Sequence, residues 1–237
     1  MRDLLLPGWA AFVLAAALLA RRLAARYGSL AALRFLAGAV VALTVQTVLA
    51  TAGMRRFGTR PTPVDVLTLS RSLSVAVLTG LLVSGVKDRR GDAGWIGFAA
   101  VIYGAIVTDW LDGPLARTAG ASAIRETLDW ESDSLLTLST SAVSVRWGDL
   151  PPVVLLPPVL RYVTVLRAVR HGRYLAVREA KPWWDRPLGI AQMTLFAAAL
   201  APFRGPMTER AVRAVFPAHL VLQAVGWIAT QRYERSL

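Results

Sequence analysis

Long apolar runs separated by short polar stretches dominate this chain and restrict the folds that it can adopt. Hydrophobic residues make up 55% of the 237 residues, and charged residues only 18%, whereas soluble domains have a charged share of about a quarter. A helix needs roughly 20 apolar residues to cross a bilayer core, and a backbone in lipid must satisfy its own hydrogen bonds. The pattern therefore predicts an all-α, polytopic helix bundle in a membrane.

Eight apolar segments mark the expected helices, and glycine, proline and charged residues separate them. Arg21 and Arg22 follow the first segment instead of preceding it, so we expect a retained helix there and not a cleaved signal peptide. The N-terminal 60 residues are compatible with one span or with two. The segments lie roughly at 4–20, 30–52, 65–86, 94–111, 127–146, 151–168, 187–203 and 211–230.

Basic residues outnumber acidic ones and give the chain a net charge of +12. They cluster between the apolar segments, as is usual for cytoplasmic loops near anionic lipid, and no nucleic-acid-binding motif accompanies them. We therefore expect the lipid bilayer as a partner and no nucleic acid. The larger share of Lys and Arg falls on the side of a loop expected at 113–126, which predicts that this side faces the cytoplasm. The absence of cysteine excludes disulfides and thiolate metal sites.

Four aspartates interrupt this apolar sequence. Asp109 and Asp112 are spaced i, i+3 at the end of one segment, and Asp129 and Asp133 are spaced i, i+4 at the start of the next. Each spacing places two side chains on one helical face, and consecutive helices are usually neighbours. Four carboxylates that face one another repel unless cations lie among them, and hard oxygen ligands select Mg²⁺, Mn²⁺ or Ca²⁺. The pattern predicts a site for two divalent cations, which suits phosphoryl transfer.

The residues that follow Asp112 are consistent with a phosphate ligand. Gly113 leaves room for a close approach, and Ala116 is small and lies one turn after Asp112. Arg117 offers a planar fork of donors for phosphate or carboxylate. Helix capping or a position at the water interface would explain one or two of the acids, but not all four. Arg71 lies inside the third segment and is expected to pair with an acid of this site, because an isolated charge in lipid is costly.

The stretch "DWLDGPLAR…LDWESD" resembles the signature of the CDP-alcohol phosphotransferase family. That signature is D-x-x-D-G-x-x-A-R and, about eight residues later, G-x-x-x-D-x-x-x-D. The stretch "TPVDVLTLSRSL" is similar to the start of the family's first core helix, so the resemblance covers about residues 63–230. The matching positions are Asp109, Asp112, Gly113, Ala116, Arg117, Asp129 and Asp133.

The chain departs from the family pattern at two places. Arg125 stands where the family has a glycine, and the gap after Arg117 is one residue short. In addition, the segment "RPLGIAQM" at 186–193 lacks the lysines that phosphatidylglycerophosphate synthases carry near "GKIKTALQ". This second departure weakens the case for glycerol 3-phosphate as the acceptor.

The resemblance implies a fold and a reaction. It implies a six-helix catalytic domain at 63–237, preceded by a membrane extension at 1–62 with one or two helices. Family members transfer a phosphatidyl or similar phospho-alcohol group from a CDP-linked donor to an acceptor hydroxyl and release CMP. The expected donor is CDP-diacylglycerol, and the expected location is the cell membrane, with several spans and a cytoplasmic active site. The family often forms homodimers.

The resemblance also implies roles for the matching residues. Asp109, Asp112 and Asp129 would ligate two Mg²⁺ or Mn²⁺ ions, and Asp133 would share a metal and act as the general base. The nucleotide site would be lined by Asp112, Gly113, Ala116 and Arg117.

The acceptor and the class of protein have open alternatives. Inositol phosphate, phosphatidylglycerol, glycerol 3-phosphate or another small polar alcohol could accept the group. Arg125, Arg161 and Arg167 are candidate contacts for a phosphate on the acceptor, although Arg161 and Arg167 could instead extend to the membrane interface. Arg125 also motivates a different class, a non-catalytic or transport protein with a relict cation site. A transporter would have acids near the bilayer midplane, often on broken helices, whereas these acids are expected at helix ends beside a polar loop.

Overall fold

The computed structural model describes residues 2–57, 65–87, 93–119, 123–147, 150–171, 184–201 and 205–235. These residues form eight α-helices and one short 3-10 helix, and none of them lies in a β-strand. The all-α prediction is therefore confirmed for the described part of the chain. The internal contacts divide the chain into two units, Met1–Trp147 and Gly148–Leu237, which are described separately below.

Each apolar segment predicted from the sequence falls on one helical region of the structure. The described part of the first unit contains α1 (Arg2–Tyr27), α2 (Ser29–Phe57), α3 (Asp65–Ser84), α4 (Ala93–Ala119) and α5 (Ala123–Trp147). The described part of the second unit contains the 3-10 helix Pro152–Leu155, α6 (Leu156–Arg170), α7 (Asp185–Leu200) and α8 (Pro206–Arg235).

The division into an extension at 1–62 and a catalytic domain at 63–237 stays a prediction. The N-terminal extension contains two helices, α1 and α2, within its described residues. The six-helix count of the catalytic domain also stays a prediction, because residues 172–183 lie outside the described part.

The helices that carry the four aspartates are longer than the apolar segments suggest. Helix α4 continues past Asp112 to Ala119, and α5 begins at Ala123, before Asp129. The expectation that the acids lie at helix ends was therefore wrong, and most of the loop expected at 113–126 is helical. The reason is that backbone hydrogen bonds define a helix, whereas apolar residues mark only the part of it that avoids water.

Helices α2 and α3 run antiparallel and approach closely at two glycines. A Cβ atom on Gly80 would lie 2.7 Å from ring carbons of Phe35 and 2.8 Å from the carbonyl oxygen of Phe35. A Cβ atom on Gly38 would lie 3.0 Å from the carbonyl oxygen of Thr79. Small residues at such positions let two helix backbones pack closely, as they do between membrane helices.

Helices α3 and α5 run parallel and are linked by side chains along their length. The hydroxyl oxygens of Thr79 and Ser139 are 3.3 Å apart. One level further along both helices, Trp147 Nε1 donates a 3.0 Å hydrogen bond to the carbonyl oxygen of Val86, just after α3. These contacts join α5 to α3 at two levels.

An aromatic cluster joins the beginning of α4 to the end of α5. The ring centroid of Trp147 lies 5.1 Å from that of Trp95 and 4.7 Å from that of Phe98. All three side chains are buried. The first turns of α4 contact the last residue of α5, and only three residues separate the end of α4 from the start of α5, so the two helices run in opposite directions.

The second unit is built around α8. Gln223 Nε2 donates to the carbonyl oxygen of Leu188 at 3.2 Å and to Gln192 Oε1 at 3.2 Å, which joins α8 to α7. Trp227 Nε1 donates to Thr164 Oγ1 of α6 at 3.0 Å.

Two described helices contain stretches long and apolar enough to cross a bilayer. These stretches are Ser29–Val48 in α2 and Arg210–Thr230 in α8. Shorter apolar stretches lie at Ser70–Ser84, Trp95–Thr108 and Pro187–Leu200.

We predict that Gly80→Ala destabilises the first unit. The new methyl group would overlap the buried Phe35 side chain and its backbone, and overpacking of this kind costs about 1–3 kcal/mol. The measurement is thermal unfolding in detergent, followed by circular dichroism. Gly97→Ala is the control, because a Cβ atom there meets no atom within 4 Å. A Gly80→Ala variant as stable as Gly97→Ala would contradict the close approach of α2 and α3.

Candidate active site

A buried arginine on α3 holds an aspartate on α5. Arg71 Nη1 donates to Asp133 Oδ1 at 2.6 Å. The side chain of Arg71 is 0% exposed, and that of Asp133 is 47% exposed. A guanidinium group in an apolar interior needs a charged, hydrogen-bonded partner. The predicted pairing of Arg71 with an acid of the site is thus confirmed, and the acid is Asp133.

Three polar residues form a buried cluster beside this ion pair. Gln46 of α2 donates from Nε2 to the carbonyl oxygen of Ser72 at 3.0 Å, and its Oε1 accepts a 3.2 Å hydrogen bond from Ser132 Oγ. The hydroxyl oxygens of Ser72 and Ser132 are 3.3 Å apart. All three residues are buried. We call Gln46, Ser72 and Ser132 the polar cluster.

The packing places the aspartates of α4 and α5 at the same end of the first unit. Asp109 follows Trp95 by 14 residues, and Asp133 precedes Trp147 by 14 residues. The rings of Trp95 and Trp147 are in contact, and the two helices are antiparallel. At 1.5 Å per residue, the backbones of Asp109 and Asp133 each lie about 21 Å along their helix from the aromatic cluster. The two positions are therefore at the same height.

Most of the residues predicted for the site have side chains outside the described part of the structure. Their backbones are helical, so the i, i+3 and i, i+4 spacings lie on continuous helices. Among the described side chains, no group of three His, Cys, Asp or Glu residues could hold a metal ion. Three of the four aspartates are not among these described side chains. The side chains outside the description are those of Asp109, Asp112, Gly113, Ala116, Arg117, Arg125 and Asp129.

The donor chemistry of this end of the unit suits hard divalent cations. The sequence supplies four carboxylates there, and carboxylate oxygen is the ligand that Mg²⁺ and Mn²⁺ prefer. Asp129 and Asp133 are one turn apart on one face of α5. The side chain of Asp133 is half-exposed, so it remains accessible to a ligand while Arg71 contacts it. These residue types therefore match the donors that the metal pair implied by the resemblance would need.

Arg161 and Arg167 lie on α6 of the second unit. Their predicted contact with the acceptor stays a prediction. The basic residues in the last turn of this helix, Arg167 and Arg170, also fit the favourable interaction of cations with a helix C-terminus.

Gln46 was missed in the reading of the sequence. A signal was present, because an amide side chain within the apolar segment 30–52 is costly to bury without partners. The sequence did not indicate which partners it would find, since Ser72 and Ser132 are 26 and 86 residues away.

Comparison with known proteins identifies the family. The CDP-alcohol phosphatidyltransferase family pattern matches residues 62–230, which is well over half of the chain. The chain belongs to this family. It is therefore an enzyme that transfers a phospho-alcohol group from a CDP-alcohol in lipid synthesis. Members of the family are membrane proteins and generally depend on divalent metal ions. Comparison with curated proteins and with solved structures gave no match.

The ion pair between Arg71 and Asp133 predicts that two single variants differ in stability. Asp133→Asn removes a carboxylate to which the buried Arg71 donates, whereas Arg71→Met leaves a half-exposed carboxylate that water can solvate. We expect Asp133→Asn to lower the unfolding temperature more than Arg71→Met does. The double variant should recover part of the loss, with a coupling of about 1–3 kcal/mol.

Thermal unfolding of the four proteins in one detergent measures this coupling. Arg34→Met is the control, because Arg34 is an exposed arginine on α2. If the effects of the two single variants simply add in the double variant, the ion pair does not couple α3 to α5.

Proposed function

We propose that this enzyme transfers a phosphatidyl group from a CDP-linked lipid, such as CDP-diacylglycerol, to an acceptor hydroxyl and releases CMP in phospholipid biosynthesis. The observation that carries the proposal is the accessible carboxylate of Asp133, which a buried arginine holds on the same helical face as Asp129. The backbone of Asp109 lies at the same height on α4.

Each residue of the signature has a proposed role. Asp109, Asp112, Asp129 and Asp133 would hold two divalent cations, Mg²⁺ or Mn²⁺, and these would supply positive charge that neutralises the diphosphate and stabilises the leaving CMP. Asp112 also contributes to the nucleotide site. The other nucleotide-binding residues are Gly113, Ala116 and Arg117.

Asp133 is the proposed general base. A carboxylate that acts in this way must lie within hydrogen-bond reach of the acceptor hydroxyl. The acceptor oxygen attacks the phosphorus that carries the lipid group, its proton passes to Asp133, and the bond from that phosphorus to the CMP oxygen breaks. CMP leaves with the bonding electrons. The hydrogen bond from Arg71 to Asp133 Oδ1 restricts the orientation of the carboxylate during this step.

We propose that the enzyme spans the cell membrane several times, with its active site at the cytoplasmic surface. Support comes from the two candidate spans, from exposed apolar side chains on α2 and α8, and from the basic loops. A site at this surface lets the lipid tails of the donor stay in the bilayer while CMP leaves into water. A homodimer is an expected form.

The continuous helices favour an enzyme over a transporter. Transporters commonly hold their ions at interrupted helices near the bilayer midplane. Here α4 and α5 run without a break through the positions of all four aspartates. The chain has Arg125 where the family has a glycine. A guanidinium group binds phosphate well, so this position favours an acceptor that carries a phosphate.

CMP release tests the proposed reaction. Purified enzyme with CDP-diacylglycerol, Mg²⁺ or Mn²⁺ and a panel of acceptors should release CMP, and removal of the metal by a chelator should abolish the release. Asp133→Asn should lower kcat by about 10²–10⁴-fold, because it removes the proposed base. Arg34→Met is the control. The proposal fails if no combination of CDP-linked donor and acceptor gives metal-dependent CMP release.

Arg125→Ala tests the class of acceptor. If Arg125 binds an acceptor phosphate, the variant should raise the KM for that acceptor by about tenfold or more, since a charge-assisted hydrogen bond contributes about 1.5–3 kcal/mol. The KM for the CDP-linked donor should not change. An unchanged acceptor KM would assign Arg125 no part in acceptor binding. The panel compares inositol phosphate, glycerol 3-phosphate and phosphatidylglycerol with an uncharged polar alcohol.

A further inference from the structure

The polar cluster joins the N-terminal extension to the two helices of the ion pair. Gln46 belongs to α2, which precedes the residues matched by the family pattern at 62–230. Its amide bonds to Ser72 on α3 and to Ser132 on α5. One side chain of the extension therefore contacts both helices of the ion pair.

The cluster and the ion pair are adjacent in sequence as well as in space. Ser72 follows Arg71 directly, and Ser132 precedes Asp133 directly. Gln46 fixes the Ser72 position through the backbone carbonyl and the Ser132 position through the hydroxyl. The amide group is planar, so its nitrogen and oxygen have a fixed separation. Because the nitrogen bonds to α3 and the oxygen to α5, the amide restricts the distance between these helices at this level.

The burial of Gln46 makes this restraint specific. Gln46 is only 3% exposed, Ser72 also 3%, and Ser132 1%. A buried amide is costly unless it is hydrogen-bonded, and a shift of α3 against α5 would break at least one of its bonds. A fully satisfied buried network thus favours one register of the helices over its neighbours.

We infer that Gln46 is a positioning residue for the reaction: it holds α3 and α5 in the register that keeps Arg71 on Asp133. The inference rests on the proposed role of Asp133 as the general base. Gln46 acts through the two helices and has no contact with substrate in this assignment. In this assignment the N-terminal extension contributes to catalysis through the position of α3 and α5.

Gln46→Met is the first test, because methionine has a similar length and no amide. Loss of the restraint should lower kcat for CMP release by about ten- to a hundredfold, since a misplacement near 1 Å has effects of that size. The KM for the CDP-linked donor should stay unchanged, because no donor-binding residue is altered. A loss of activity that reflected only unfolding would scale with the folded fraction, so rates are compared per folded protein.

Thr79→Val is the matched control. It removes a hydroxyl contact between the same two helices, that of Thr79 with Ser139. Thr79 lies about two turns along α3 from Ser72. If Gln46 positions the ion pair, Thr79→Val should keep the wild-type kcat. Equal losses of kcat in the two variants would overturn the inference, because they would indicate general loosening of the interface.

Ser132 offers a second route that stays informative if Gln46→Met does not fold. Ser132→Ala should lower kcat, because it removes one of the two hydrogen bonds of Gln46. The double variant should be no worse than Gln46→Met alone. Ser132→Thr should keep the wild-type rate, because it keeps the hydroxyl. Additive effects would contradict a shared hydrogen bond.

A stability measurement separates failure of this inference from failure of the proposed function. The coupling between Arg71 and Asp133 is measured by thermal unfolding in wild-type and in Gln46→Met backgrounds. Gln46→Met should shrink the coupling even if the enzyme uses a different donor. An undiminished coupling would overturn the positioning role, whereas absence of CMP release from the wild type would overturn only the proposed reaction.

Discussion

The buried positive charge of Arg71 is the constraint on which the first unit depends. A fully buried guanidinium group is tolerated only where a carboxylate meets it, so α5 must pack on α3 at the level of Asp133. The carboxylate in turn remains half-exposed, which leaves it accessible for chemistry. One ion pair therefore links the packing of two helices to the orientation of the residue proposed as the base.

The remaining contacts of the first unit support this pair from three directions. Helix α3 packs against α2, α4 and α5. Glycines allow α2 to approach α3 closely, and the polar cluster connects α2 to both helices of the pair. At the opposite end, buried aromatic rings hold the beginning of α4 against the end of α5. Because helices are stiff, contacts at that distant end also set the heights of the aspartates.

The extension and the catalytic core are less separate than the family pattern suggests. The pattern begins at residue 62, yet α2 belongs to the same compact unit as α3, α4 and α5. The second unit has its own polar contacts, in which Gln223 and Trp227 join α8 to α7 and α6. Gln46, the residue proposed to position the ion pair, lies outside the residues that the family pattern matches.

The sequence by itself determined the helices, the spacing of the four aspartates and the need of Arg71 for an acidic partner. These features depend on local periodicity and on the energetics of a single buried charge, which a sequence displays directly. It misplaced the helix ends, because polar residues can continue a helix beyond its apolar stretch. Only the tertiary structure decided that Asp133 is the partner of Arg71 and that Gln46 joins the cluster. Those contacts connect residues 62, 26 and 86 positions apart, and no local pattern encodes which helix faces will meet.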